Sequence, residues 1–129
     1  MSKINFKEAQ ELNQNFVKTR TKSIDIAIGK KDAISSWFSL EEIKNYISYV
    51  EEQAKLKDLN VNGLRVYFGA YSNSINNVSK KGLATVFFVP TQAKIKSDID
   101  GGDENSDIID IDALNDGQVG DPPSAEYPQ

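Results

Sequence analysis

The chain has 129 residues, 39% of them apolar, with 15 Lys and Arg against 19 Asp and Glu and a net charge of −4. This length fits one domain with enough apolar content for a core. There is no Cys and no His, which excludes disulfides, thiolate chemistry, and imidazole as a metal ligand or general base.

The first predicted element is a helix over residues 5–19. Asn5 is placed as its N-cap, and Glu8 stands three residues on, as in a capping box. Phe6, Ala9, Leu12, Phe16 and Val17 then recur on one stripe. Ile24, Ile26 and Ile28 alternate, which predicts a strand over 23–28 that ends at Gly29; a short helical turn through Ala33–Trp37 fits equally well. A second helix is predicted over 40–57, with Ser39 as N-cap, Glu42 as its partner and Phe38 stapled to Ile43. Its stripe is Leu40, Ile43, Ile47, Val50 and Ala54, widened by Tyr46 and Tyr49. Asn62-Gly63 supplies the turn chemistry that should end this region.

A strand over 64–71 follows. Leu64, Val66, Phe68 and Ala70 share one side, and Arg65, Tyr67, Gly69 and Tyr71 the other. Ile43, Ile47 and Val50 are expected to pack on Leu64, Val66 and Phe68. Residues 72–82 read as a polar loop. Residues 83–89 (LATVFFV) are apolar on both faces, which predicts a central strand, and Pro90 should end it. The fold class is therefore α+β: a small antiparallel sheet with two helices packed on it and a flexible acidic C-terminal tail.

Charge is distributed unevenly. All 15 Lys and Arg precede residue 97, whereas residues 98–129 hold 10 of the 19 acids and no base, leaving a body of +6 and a segment of −10. The expected organisation is a globular α+β domain over 1–96 and an acidic, Gly- and Pro-containing tail over 97–129. Residues 97–107 should be mobile, while Ile108, Ile109, Ile111 and Leu114 offer apolar side chains that can dock around 108–114. No window approaches the ~18 apolar residues of a membrane span, and no apolar leader follows residues 1–5. A cytoplasmic address is expected, with no membrane partner.

The search for chemistry is mostly negative. Asp98, Asp100, Asp103, Glu104 and Asp107 suggest calcium, but an EF-hand loop begun at Asp98 puts Asp103 at the glycine position and Ile109 at the bidentate glutamate position. No Ser-Lys spacing and no phosphate-cradling glycine loop occurs. Lys81–Phe88 (KGLATVFF) follows the RNA-recognition strand pattern except at Leu83 and Thr85, where the pattern needs stacking aromatics. No catalytic residue, metal or cofactor is expected, and nucleic acid is not the expected partner.

One surface stands out. Arg65, Tyr67 and Tyr71 share a strand side, and Tyr and Arg are enriched at interface hot spots. They are the candidate partner-binding residues. The expected function is a non-enzymatic protein-binding or regulatory module. The alternative is a small-molecule-binding domain or minor enzyme, with a pocket between the second helix and the sheet formed by Tyr46 and Tyr49 together with Arg65 and Tyr67. The sequence does not set the oligomeric state.

Three segments carry a resemblance: Trp37–Glu42 (WFSLEE), Asn62–Tyr71 (NGLRVYFGAY) and Val89–Thr91 (VPT). In these the chain resembles small uncharacterised cytosolic proteins of flavobacteria and related bacteria, over roughly residues 1–92. The resemblance implies a bacterial cytosolic setting and brings no activity or site residue with it.

Overall fold

The computed structural model describes residues 2–94 and 104–129. Its elements are α1 (Phe6–Phe16), a π-helical turn (Val17–Thr21), α2 (Lys22–Ile28), α3 (Leu40–Leu56), β1 (Val61–Ala70), β2 (Ala84–Ala93) and β3 (Asn105–Asp107). The class is α+β, as expected, with an antiparallel sheet ordered β1-β2-β3. The chain divides into two compact units. Unit 1 comprises Met1–Trp37, Ala70–Thr85 and Gly117–Gln129; unit 2 comprises Phe38–Gly69 and Val86–Asp116. Residues from the expected tail belong to both, so the division does not fall at residue 96. The expected mobile stretch 97–107 lies outside the described residues up to residue 103.

In unit 1, α1 starts where the cap predicts: the Asn5 carboxamide oxygen accepts from the Glu8 amide at 2.8 Å. Eleven residues later the helix widens. The Thr19 hydroxyl donates to the Asn15 carbonyl at 2.5 Å, and Arg20 donates to the Thr19 hydroxyl at 2.7 Å. A side chain bonding back onto its helix competes for a ladder carbonyl, and here it accompanies the π turn. The backbone stays in the right-handed region through Thr21 and Lys22, so residues 22–28 continue as α2. The strand expected over 23–28 is thus corrected to helix. Ile24 and Ile28 are four residues apart and share a helix face, while Ile26 points away, 73% exposed. Three alternating isoleucines do not distinguish the two periods. Gly29 ends α2 in the left-handed conformation at φ 75°, its amide donating to the Asp25 carbonyl.

The rest of unit 1 is tied by main-chain polar bonds. Asp32 is buried, and its Oδ1 accepts from the amides of Ala33 (2.9 Å) and Ala84 (2.7 Å). Its own amide donates to Asp25 Oδ1 at 2.8 Å. Trp37 and Gln118 exchange amide–carbonyl bonds of 2.6 and 2.7 Å. The α1 stripe has no buried residue; the Phe6 ring lies 5.6 Å from that of Tyr127, whose amide donates to Asn13 Oδ1 at 2.9 Å.

Unit 2 contains α3 and most of the sheet. Ser39 caps α3, its Oγ accepting from the Glu42 amide at 3.0 Å; such a cap contributes about 1 kcal/mol. Phe38 packs edge-on against Phe88, with ring centroids 5.3 Å apart. The helix closes in a Schellman arrangement. Asp58 takes φ 55°, and the Leu59 amide donates to the Ala54 carbonyl at 2.8 Å. The turn chemistry therefore sits at Asp58, and Asn62-Gly63, expected as the turn, lies inside β1. Similarly β2 does not end at Pro90. Pro90 is fully buried, and its carbonyl accepts from the Ile108 amide at 2.9 Å, so the strand continues to Ala93.

The core explains the other differences. It consists of Tyr46, Val50, Ala54, Ile108 and Ile111, with Tyr49, Leu59, Val61, Phe88 and Leu114 packed around it. The chain from Asn105 onward runs along the edge of β2 away from β1. Thr91 pairs with Asp107, Gln92 with Ser106 and Ala93 with Asn105; further on, Phe88 and Leu114 exchange bonds of 2.9 and 3.0 Å. The docking anticipated around 108–114 is present, and residues from 104 onward are not a free tail. Because Ile108 and Ile111 fill the space under α3, the helix does not cover Leu64, Val66 and Phe68, and its buried face is Tyr46–Val50–Ala54. Ile47, expected to be buried, is 42% exposed.

This core predicts a contrast between two neighbours on α3. Val50, 2% exposed, should cost about 2 kcal/mol when changed to Ala, through lost contacts and a cavity. Ile47→Ala should cost less than about 1 kcal/mol. Urea unfolding of the two variants measures the difference, and equal losses would mean that the helix face is misassigned.

Candidate functional site

Strand β1 carries every candidate partner-binding residue except Tyr71, which follows it immediately. On one side, Arg65 and Tyr67 converge on Asp107 of β3. Arg65 Nη1 donates to Asp107 Oδ1, the Tyr67 hydroxyl donates to Oδ2, and Arg65 Nη2 donates to the Asn105 carbonyl at 3.2 Å. The Tyr67 hydroxyl and then the Asp107 carboxylate push the Arg65 pKa above its ordinary value. The Tyr67 ring stacks on Phe87, 5.3 Å between centroids and 14° from parallel. A bidentate carboxylate serving an arginine and a phenol is geometrically specific. It fixes β1 to β3 across β2.

Next to this clamp is a recess of about 410 Å³ lined by Asn62, Gly63, Thr91 and Asn105 together with Leu64, Arg65 and Val66. Its polar groups bond one another. Thr91 Oγ1 donates to Asn62 Oδ1, and Asn62 Nδ2 donates to Asn105 Oδ1, both at 2.7 Å. A ligand there would exchange existing bonds instead of completing missing ones.

Tyr71 belongs to unit 1 and has other neighbours. Its hydroxyl accepts from Thr85 Oγ1 at 3.4 Å, its amide donates to the Leu83 carbonyl at 2.9 Å, and Lys80 Nζ stands 5.5 Å above its ring. The structure therefore brings Arg65 and Tyr67 together around Asp107 and gives Tyr71 a separate set of contacts. Sequence reasoning missed Asp107, because a carboxylate forty residues away in an acidic run carries no local signal.

The proposed pocket residues Tyr46 and Tyr49 are a core pair. Their rings stack with centroids 6.1 Å apart. The Tyr46 hydroxyl is 2.9 Å from the Asp112 carbonyl and 3.2 Å from that of Phe88. Burial first, and then the nearby Tyr49 and Asp112, push its pKa up to about 12. That phenol is committed to holding the 108–114 segment beneath α3.

The other side of β1 is apolar and open. Leu64 is 38% exposed, Val66 49% and Phe68 91%, on the edge strand of the sheet. Charge and alternation alone could not show this, since both sides of β1 alternate equally well. The signal was the surplus of apolar residues in 108–114, which compete for the same helix.

Among the described residues, no group of three acidic side chains is arranged to hold a metal ion, and no helix is long and apolar enough to cross a membrane. Asp98, Asp100 and Asp103 lie outside the described residues. Comparison with protein-family models, curated proteins and solved structures finds no match.

Tyr46 gives a pH prediction. An unfolded tyrosine ionises near 10 and Tyr46 near 12. Between these values the unfolded chain releases a proton that the folded chain keeps, so stability falls as pH rises through this window. An ultraviolet absorbance titration should show a tyrosine component ionising near 12. Tyr46→Phe should remove that late component; its persistence would assign the shift to another phenol.

Proposed function

We propose that the chain is a non-enzymatic protein-binding or regulatory module whose contact surface is the outward row of β1. The observation that carries this reading is the exposure of Leu64, Val66 and Phe68 side by side on an edge strand. An exposed apolar edge strand is a template for another chain unless charge, proline or a bulge blunts it. β1 contains no Lys, no Pro and one charged residue, Arg65, which is paired with Asp107. Arg65 and Tyr67 then act as braces that hold the strand, and the contact itself falls to the apolar side. A bacterial cytosolic setting belongs to the same proposal and is supported by the motif resemblance.

Covering Phe68 contributes about 1.5–3 kcal/mol, so its loss should weaken partner capture roughly ten- to a hundredfold. The test compares capture from a native cell extract by the wild type, Phe68→Ser and Val66→Ser. Melting temperatures should stay close to the wild type because both side chains are exposed. Unchanged capture by both variants would end this reading.

A further inference from the structure

We propose that the occupant of the β1 edge is a second copy of this chain, paired antiparallel about Val66. This inference rests on the preceding reading of β1 and names its partner. A two-fold contact requires self-complementarity: residue i meets residue j, and j meets i. In the register centred on Val66, the residues of β1 that meet are chemically matched. Leu64 faces Phe68 of the other copy, Arg65 faces Tyr67, and Gly63 faces Gly69. Large apolar residues therefore meet large apolar residues, and the two glycines leave the ends of the paired segment unobstructed.

Charge agrees with this register. The one charge in β1, Arg65, meets the Tyr67 of its mate rather than another arginine, and its own Asp107 already compensates it. Like charges directly opposite would oppose pairing; here there are none. The main chain agrees as well. The Tyr71 amide turns toward β2, donating to Leu83. By the two-residue alternation of an antiparallel ladder, residues 64, 66 and 68 turn their amides and carbonyls to the free edge. Val66 then sits opposite itself in a hydrogen-bonded pair, and the two three-stranded sheets join into one.

The absence of native cysteine makes the register directly testable in the full chain. A hydrogen-bonded antiparallel pair places Cα atoms about 5.5 Å apart, within the roughly 4.4–6.8 Å that a disulfide spans. Val66→Cys should therefore cross-link to itself under mild oxidation. Leu64→Cys should not, since the two copies of residue 64 lie four residues out of register, about 13 Å along the strand. It should instead cross-link when mixed with Phe68→Cys. Ile109→Cys, 91% exposed and outside β1, measures random collision. The expected result is cross-linking of Val66→Cys at least about tenfold faster than Ile109→Cys, a factor worth 1.4 kcal/mol. Sedimentation should also show a concentration-dependent dimer of the wild type that Val66→Lys abolishes. A wild type that stays monomeric, with Val66→Cys no faster than Ile109→Cys, overturns the second-copy assignment. If Phe68→Ser still loses extract capture in that case, the β1 row binds a different protein and only this inference fails; if capture is unchanged as well, both readings fail. A dimer that cross-links through Leu64→Cys alone refutes the register.

Discussion

The insertion of Ile108 and Ile111 beneath α3 is the interaction on which unit 2 depends. Both side chains are almost wholly buried against Tyr46, Val50 and Ala54. Fully burying an isoleucine contributes roughly 1.5–3 kcal/mol, a large share of the stability of a small domain. The main chain beside them is secured as well: Ile108 donates to Pro90, Leu114 exchanges bonds with Phe88, and Asn115 donates to Val86 at 2.8 Å. A strongly acidic segment is thus a structural part of the sheet and of the core. Its carboxylates can remain hydrated because its isoleucines carry the packing.

The exposure of β1 follows from that choice of core. A single helix is about 10 Å across and covers roughly two strands spaced about 4.8 Å apart. With its buried face turned to β2 and the 108–114 segment, α3 leaves the outer row of β1 bare. The strand is still held firmly from its other side by the Asp107 clamp on Arg65 and Tyr67. A rigid strand with an open apolar row loses little conformational entropy when another strand pairs with it. The same geometry explains why Arg65 and Tyr67, chemically the most attractive interface residues in the sequence, serve as internal braces.

What could be read from the sequence was local. Asn5 and Ser39 were legible as caps because one side-chain oxygen and one amide three residues on decide the matter. α3, β1 and the central position of β2 followed from periodicity and from LATVFFV. The failures were non-local. The first helix continues past Thr19 through a π turn into α2, and three alternating isoleucines conceal this because they fit both periods. Extension of β2 past Pro90 depends on Ile108. The buried side of α3 depends on which of two apolar sets, Leu64–Val66–Phe68 or Ile108–Ile111–Leu114, reaches it, and composition does not rank them. The candidate site had the same fate: Arg65 and Tyr67 were legible as a pair, whereas their partner Asp107 was not.

Replacing Ile108 and Ile111 with alanine, singly and together, tests the central claim most directly. Each single change should cost about 2–5 kcal/mol by cavity formation, measured by denaturant unfolding followed through the tyrosine signal. The double variant should lose the cooperative transition of unit 2. If both single variants unfold within about 0.5 kcal/mol of the wild type, the range of ordinary surface substitutions, the segment is not part of the core and the account of β1 that rests on it fails.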